Sequence, residues 1–147
     1  MADKLSMKLF ALNLHISNTL ETVLEKDPIG GQLNPTQLAL FRHLYFHREE
    51  NVYQRDLEKA FLLSRSTASR VLQGLESMGL ITRGGVEADG RLKKLILTPR
   101  ALELGERMSV FYRSADERLW DGFSAEESQM LCLMLERMRR NLTKIVE

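Results

Sequence analysis

Apolar residues recur every three to four positions along most of this chain, the period of amphipathic helices. The first stripe is Leu5, Leu9, Leu12, Ile16, Leu20 and Val23, widened by Phe10 and Leu24. It predicts one long helix from Lys4 to about Lys26, ended by Pro28 and the pair Gly30-Gly31. A second helix has a clear start, with Asn34 as cap, Pro35 at the first position and Gln37 as capping-box partner. Its buried stripe is Leu38, Phe41, Leu44 and Tyr45, and it runs to about His47; Arg48 to Asn51 reads as a polar loop. A short third helix covers about Gln54 to Phe61. Ser64 caps a fourth, Arg65 to Met78, with Ala68, Val71, Leu72 and Leu75 facing inward. Gly79 stands where a left-handed terminator is wanted.

The pattern then changes. Two short apolar runs, Leu80 to Val86 and Leu92 to Thr98, flank the polar link Glu87 to Arg91 and predict a β-hairpin. Thr98-Pro99 opens a fifth helix that reaches about Gly122, with Ala101, Leu104, Met108, Phe111, Ala115 and Leu119 on one face. Ser124 and Glu127 form a capping box for the last helix. There Leu131, Leu135, Met138, Leu142 and Ile145 make a short heptad-like seam. The expected architecture is mainly α with a small hairpin wing, a helix-turn-helix core over 34–98 and flanking helices over 1–27 and 99–147, all within one domain of 147 residues.

Composition narrows the class. No apolar run of about 18 residues exists for a membrane span, and the charged N-terminus is unlike a signal peptide. The single cysteine, Cys132, cannot close an internal disulfide, which points to a reducing cytoplasm. The net charge of +1 hides an uneven distribution. Residues 51–100 hold nine Lys and Arg against five Asp and Glu, while the rest hold twelve against fifteen. The basic third coincides with the helix-turn-helix and hairpin.

That coincidence carries the functional argument. A helix fits the DNA major groove and presents its N-terminal side chains to base edges. Here that part is Ser64-Arg65-Ser66-Thr67-Ala68-Ser69-Arg70, with hydroxyls and arginines outward. A Ser- and Arg-rich helix start is often only a capped, solvated helix, and the hairpin directly after it tips the balance toward DNA. Arg91, Lys93 and Lys94 give that hairpin the charge to reach the minor groove or backbone. The chain has no Gly-rich phosphate loop, HExxH helix, GxSxG elbow or CxxC pair, so enzyme classes are excluded. A non-specific architectural binder calls for a strong positive charge, which +1 does not supply. A winged helix used only for protein binding does not need the basic wing.

Five segments together resemble the MarR family. They are Leu33 to Leu38, Gln54 to Glu58, Leu63 to Arg70, Leu75 to Ile81, and Asp89-Gly90-Arg91 followed by a strand ending Leu97-Thr98. The resemblance spans 33–105 in order. It implies a dimeric winged-helix repressor on a pseudo-palindromic double-stranded operator, and it leaves room for a small lipophilic or phenolic effector. By position it makes Arg65, Ser66, Thr67, Ser69 and Arg70 the recognition-helix contacts and Arg91 the minor-groove arginine, with Lys93 beside it. Gln54 and Arg55 would contact the backbone, and Asp89 would orient the wing. Three residues depart from the family pattern: Leu62 for a turn glycine, Tyr53 for a Ser or Thr cap, and Ala101 for a glycine in the fifth helix.

The terminal helices carry apolar faces that a core of about 70 residues cannot cover, and a second copy is the simplest partner. Such a dimer would set two recognition helices about one DNA turn apart, near 34 Å. Sensor candidates are thinner. His43 and His47 share a helix face, but two ligands are too few for a metal site, so no metal or other cofactor is expected. Cys132 lies among Met130, Leu131, Leu133 and Met134 and reads as a buried, inert thiol. The seven Met with Phe10, Phe41, Tyr45, Phe46, Phe111, Tyr112 and Trp120 could line a pocket between the first, second and fifth helices, though such stripes read first as ordinary core.

Overall fold

The computed structural model describes residues 2–86 and 89–146; side chains are not described at 2, 3, 20, 23, 85, 86, 89–92 and 146. The elements run α1 (Ala2–Leu24), a 3₁₀ turn (Gly30–Gln32), α2 (Pro35–Phe46), α3 (Gln54–Phe61), α4 (Arg65–Ser77), β1 (Ile81–Val86), β2 (Asp89–Leu97), α5 (Pro99–Leu119) and α6 (Ala125–Val146). They fall into two compact units, one ending at Glu106 and one starting at Arg107. Among the described residues, no helix is long and apolar enough to cross a membrane.

In the first unit, Leu40 of α2, Leu57 of α3, Ala68, Leu72 and Leu75 of α4, and Leu80 before β1 are completely buried. Each such leucine side chain removed from water contributes about 1.5–3 kcal/mol. α2 begins as its sequence dictates: Asn34 Oδ1 accepts from the Gln37 N–H at 2.9 Å, and Gln37 Oε1 accepts from the Asn34 N–H at 3.0 Å. The start of α3 is different. Tyr53 supplies no side-chain cap; the Asp56 N–H donates to Tyr53 O at 3.0 Å instead, and the reciprocal half is present, with Asp56 Oδ2 accepting from the Tyr53 N–H at 2.8 Å.

The α3–α4 turn explains the odd residue at 62. Leu62 sits at φ 50°, ψ 44°, in the left-handed region. The backbone there is the one a glycine provides, imposed on a residue with a side chain. Gly79, at φ 68°, ends the next helix in the expected way: the Leu80 N–H donates to Leu75 O at 3.0 Å and the Gly79 N–H to Glu76 O at 2.9 Å. At the third departure, Ala101 is completely buried in α5. The close approach falls one turn later, where a Cβ on Gly105 would collide with the Tyr45 ring of α2.

β1 and β2 pair antiparallel, from Ile81 opposite Leu97 to Gly85 opposite Lys93, with an irregularity at Gly85/Val86 before Val86 meets Asp89. The hairpin differs from expectation in its second strand, which starts at Asp89 rather than Leu92. Backbone pairing continues through residues chosen for polarity, because a ladder depends on N–H and C=O groups and not on side-chain character. The base of the wing is held by a third segment: the Leu95 N–H donates to Val52 O at 2.9 Å, and Tyr53 bridges to Lys94. Thr98 closes this unit. Its hydroxyl donates to Gly79 O at 2.7 Å and accepts from the Ala101 N–H at 3.2 Å, so it caps α5 and ties it to the end of α4.

In the second unit, Gly122 (φ 82°) turns the chain and the Ser124–Glu127 capping box starts α6, with bonds of 2.9 and 3.2 Å. The seam on α6 is open. Leu131 and Met138 are half-buried, whereas Leu135, Leu142 and Ile145 are exposed, Ile145 by 78%. Cys132 is exposed, which corrects the buried thiol expected from its neighbours. Those neighbours, Met130, Leu133 and Met134, are themselves exposed, so apolar company does not bring burial in a single chain. The same holds for Phe10 on α1 in the first unit, 62% exposed where core was expected.

The left-handed region costs a side-chain-bearing residue about 1–2 kcal/mol. Leu62→Gly should recover part of that, against the greater freedom of an unfolded glycine. We expect a gain of about 1 kcal/mol, read as a higher urea midpoint at unchanged m. A lower midpoint would mean that contacts of the leucine side chain outweigh its backbone strain.

Candidate nucleic-acid interface

α4 presents one buried and one open face. Ala68, Val71, Leu72 and Leu75 are buried; Arg65, Ser66 and Arg70 are exposed; Thr67 and Ser69 lie between. Ser64 sets this roll at the first turn. Its Oγ accepts from the Thr67 N–H at 3.2 Å and donates to Thr67 Oγ1 at 2.9 Å, with Ser66 Oγ 3.1 Å away. The hydroxyls expected on the open face are thus partly engaged in the cap, and the two arginines are its projecting charges.

Beside α4 lies a cleft of about 390 Å³, lined by Tyr53, Gln54, Arg55 and Glu58 of the α3 region, Arg65 and Ser69 of α4, and Arg83, Lys93 and Leu95 of the hairpin. Four cations and one carboxylate converge there, which makes it an anion-attracting concavity. The guanidinium of Arg55 lies 5.4 Å from the Tyr53 ring centroid and 3.9 Å from Asp56. Gln54 is turned inward. Its Nε2 donates to Glu58 Oε1 at 2.9 Å and to Arg65 O at 3.3 Å, and its Oε1 accepts from Arg83 Nη1 at 3.4 Å.

The hairpin separates two lysines read together in the sequence. Lys93 lines the cleft, whereas Lys94 lines a second cavity of about 240 Å³ with His47, Arg48 and Glu50, because successive residues of a strand point to opposite faces. The side chains of Asp89 and Arg91 lie outside the described residues; their backbone belongs to β2. Sequence reasoning missed Arg83. It reads as one cation in a run, Ile81-Thr82-Arg83, with nothing to mark it; its position opposite Leu95 in the hairpin register is what brings it to the cleft.

His43 and His47 do share a face of α2, with rings stacked 4.1 Å apart, and His43 also meets Phe61 of α3 edge-on at 5.5 Å. Among the described residues, no group of three or more His, Cys, Asp or Glu is placed to hold a metal ion. Burial holds the His43 imidazole below its ordinary range; the neighbouring His47 adds to this, and Glu50 and Asp56 oppose it.

The fold and this surface define a winged helix-turn-helix protein. Residues 32–92 match the model of the MarR family. The transcription regulator MarR of Oenococcus oeni is 29% identical, with a TM-score of 0.79 over 91% of this chain and 97% of that one. Two structures below 25% identity share the fold. S. aureus MepR in complex with DNA is 23% identical, with a TM-score of 0.79 over 93% and 95% of the two chains. Streptococcus pneumoniae FabT, also with DNA, is 19% identical, with a TM-score of 0.77 over 99% of each. Over residues 32–92 the chain is thus similar to the MarR family, and its fold is similar to that of a MarR transcription regulator.

A histidine whose pKa is lowered on folding resists protonation in the native state, so the unfolded chain takes up protons first. His43 then contributes nothing above its unfolded value of about 6.5, and stability is lost as pH falls from there through the native pKa. A His43→Gln variant should show a shallower fall in urea midpoint between about pH 7 and pH 5 than the wild type. Parallel profiles would remove His43 from the acid response.

Proposed function

We propose that this protein is a homodimeric, sequence-specific DNA-binding repressor acting on a pseudo-palindromic operator. One observation carries the reading: the exposed Arg65, Ser66 and Arg70 at the start of α4 lie beside a cleft furnished by Arg55, Arg83 and Lys93. Arginine forks onto guanine O6 and N7, and hydroxyls bond bases or phosphates. In this reading Arg65, Ser66, Thr67, Ser69 and Arg70 enter the major groove. Arg55 stands over the adjoining backbone with Lys93, and Gln54, its side chain engaged inward, meets that backbone through its own N–H at the start of α3. Arg91 reaches the minor groove, with Asp89 orienting the wing. The DNA complexes of related fold support this assignment.

Dimerisation is the second part of the proposal. In a single chain, α1 exposes Leu5, Met7, Phe10, Leu12 and Leu14, and α6 exposes Met130, Leu133, Met134, Leu135, Leu142 and Ile145. Exposed apolar helix faces of this kind mark interaction surfaces on each unit, and a second copy covers them with two-fold symmetry. The segments 1–27 and 99–147 form this dimerisation module around the core of 34–98. Release by a small lipophilic or phenolic ligand completes the reading, supported by the family resemblance alone.

The direct test is fluorescence anisotropy on the DNA upstream of the protein's own coding region, with a scrambled duplex as control and salt varied. We expect at least about a hundredfold preference at about 150 mM salt and two subunits per site. Equal weak binding to the operator region, to duplexes from a genome-wide site selection and to the scrambled control would sink the specific-regulator reading. Arg91→Ala should weaken binding to all duplexes and lower the salt slope by about one counterion; an unchanged slope would take the wing out of the contact. Leu133→Arg combined with Leu142→Arg should yield monomers by light scattering, and a persistent dimer would place the interface elsewhere.

A further inference from the structure

Among the described residues, Arg83 is the one cation of the cleft whose side chain is seen to bond between elements. It sits on β1 with its side chain 24% exposed. Its Nε lies 3.3 Å from Glu76 Oε2 in the last turn of α4. That contact is an ion pair and not an aligned hydrogen bond, since the same buried Nε has no hydrogen-bond partner of good geometry. Its Nη1 donates to Gln54 Oε1 at 3.4 Å, at the first residue of α3. Both amide hydrogens of Gln54 are then used, one on Glu58 and one on the carbonyl of Arg65, the first residue of α4. One guanidinium thus joins the wing strand to the end of the recognition helix directly and to its beginning through a single amide.

A phosphate-binding cation needs its charge in solvent, as Arg65 and Arg70 have theirs. Arg83 instead lies against a carboxylate that is itself less than half exposed. Partly buried charge-assisted contacts are worth more than exposed ones, and their planar, forked geometry is a property of Arg that Lys does not share. We propose that Arg83 is a positioning residue of the DNA interface: it fixes the wing strand against both ends of α4, so that the recognition helix and the wing meet DNA in one fixed relation. Glu76 and Gln54 are its two anchors. The inference rests on the proposed DNA-binding function, but the lock itself is a feature of the free protein.

The test uses Arg83→Lys and Glu76→Gln in the full chain. In DNA-free protein, hydrogen–deuterium exchange over residues 64–70 and 81–84 should rise about tenfold in both variants, as local opening becomes easier. In anisotropy titrations of Arg83→Lys the preference for operator over scrambled duplex should fall about tenfold with an unchanged salt slope, because orientation and not charge is lost. Glu76→Gln separates the two roles by sign. Removing a negative charge beside a pure phosphate contact strengthens binding to every duplex, whereas removing an anchor weakens binding to the operator. Unchanged exchange in both variants would overturn the proposal, and so would full operator preference in Arg83→Lys. A wild type without sequence preference would overturn the regulator reading instead, and the exchange measurement would still decide the lock.

Discussion

The α3–α4 corner is the constraint on which the rest depends. Leu57, Ala68, Leu72 and Leu75 are completely buried, and they fix the roll of α4 about its own axis. Close packing leaves no freedom there: a rotation of one residue would turn a 100° sector of the helix and bring an arginine toward the core. Ala68 matters most because it is small. It lets α4 approach closely while its neighbours Thr67 and Ser69 stay only half-buried and Arg65 and Arg70 remain outside. The chemistry of the exposed face is a consequence of what the buried face excludes.

Leu62 shows what this packing can impose. The turn between the two helices requires a left-handed residue at that position. The conformational cost of about 1–2 kcal/mol is small against the burial of several aliphatic side chains at about 1.5–3 kcal/mol each. The core therefore overrides the local preference of leucine. Tyr53 is a parallel case: the Asp56 N–H that a hydroxyl cap would take donates instead to Tyr53 O, and Asp56 Oδ2 accepts from the Tyr53 N–H. Both departures were visible in the sequence, and neither resolution was. Backbone dihedral angles and reciprocal bonds depend on what packs around a position.

The same division runs through the candidate site. Helix periodicity, Ser64 as cap and Gly79 as terminator made α4 and its outward residues legible, because helix faces follow from spacing alone. The cleft was not legible. Arg83 reaches it through hairpin register, and register is fixed by pairing across the sequence rather than along it. Lys93 and Lys94 read as one basic pair, yet the pleat sends them to different cavities. Cys132 and Phe10 are exposed where burial is expected for a related reason: an apolar neighbourhood in sequence predicts a sticky face, and whether that face is covered within one chain is a tertiary question.

Charge placement bears on the kind of DNA binding. A surface built for affinity alone would gather cations and shed carboxylates, since counterion release rewards each added positive charge regardless of sequence. Here Glu58 stands in the cleft among Arg55, Arg65, Arg83 and Lys93, and Glu76 lies against Arg83. Both carboxylates oppose phosphate approach in general. Glu58 receives the amide of Gln54 and Glu76 receives a guanidinium, so each restrains a group at an end of α4. Electrostatic attraction is given up where orientation is gained, in a chain whose total charge is only +1. On the proposed reading such an interface would discriminate by geometry: a duplex that does not fit the spacing of α4 and wing would meet the carboxylates without compensating base contacts.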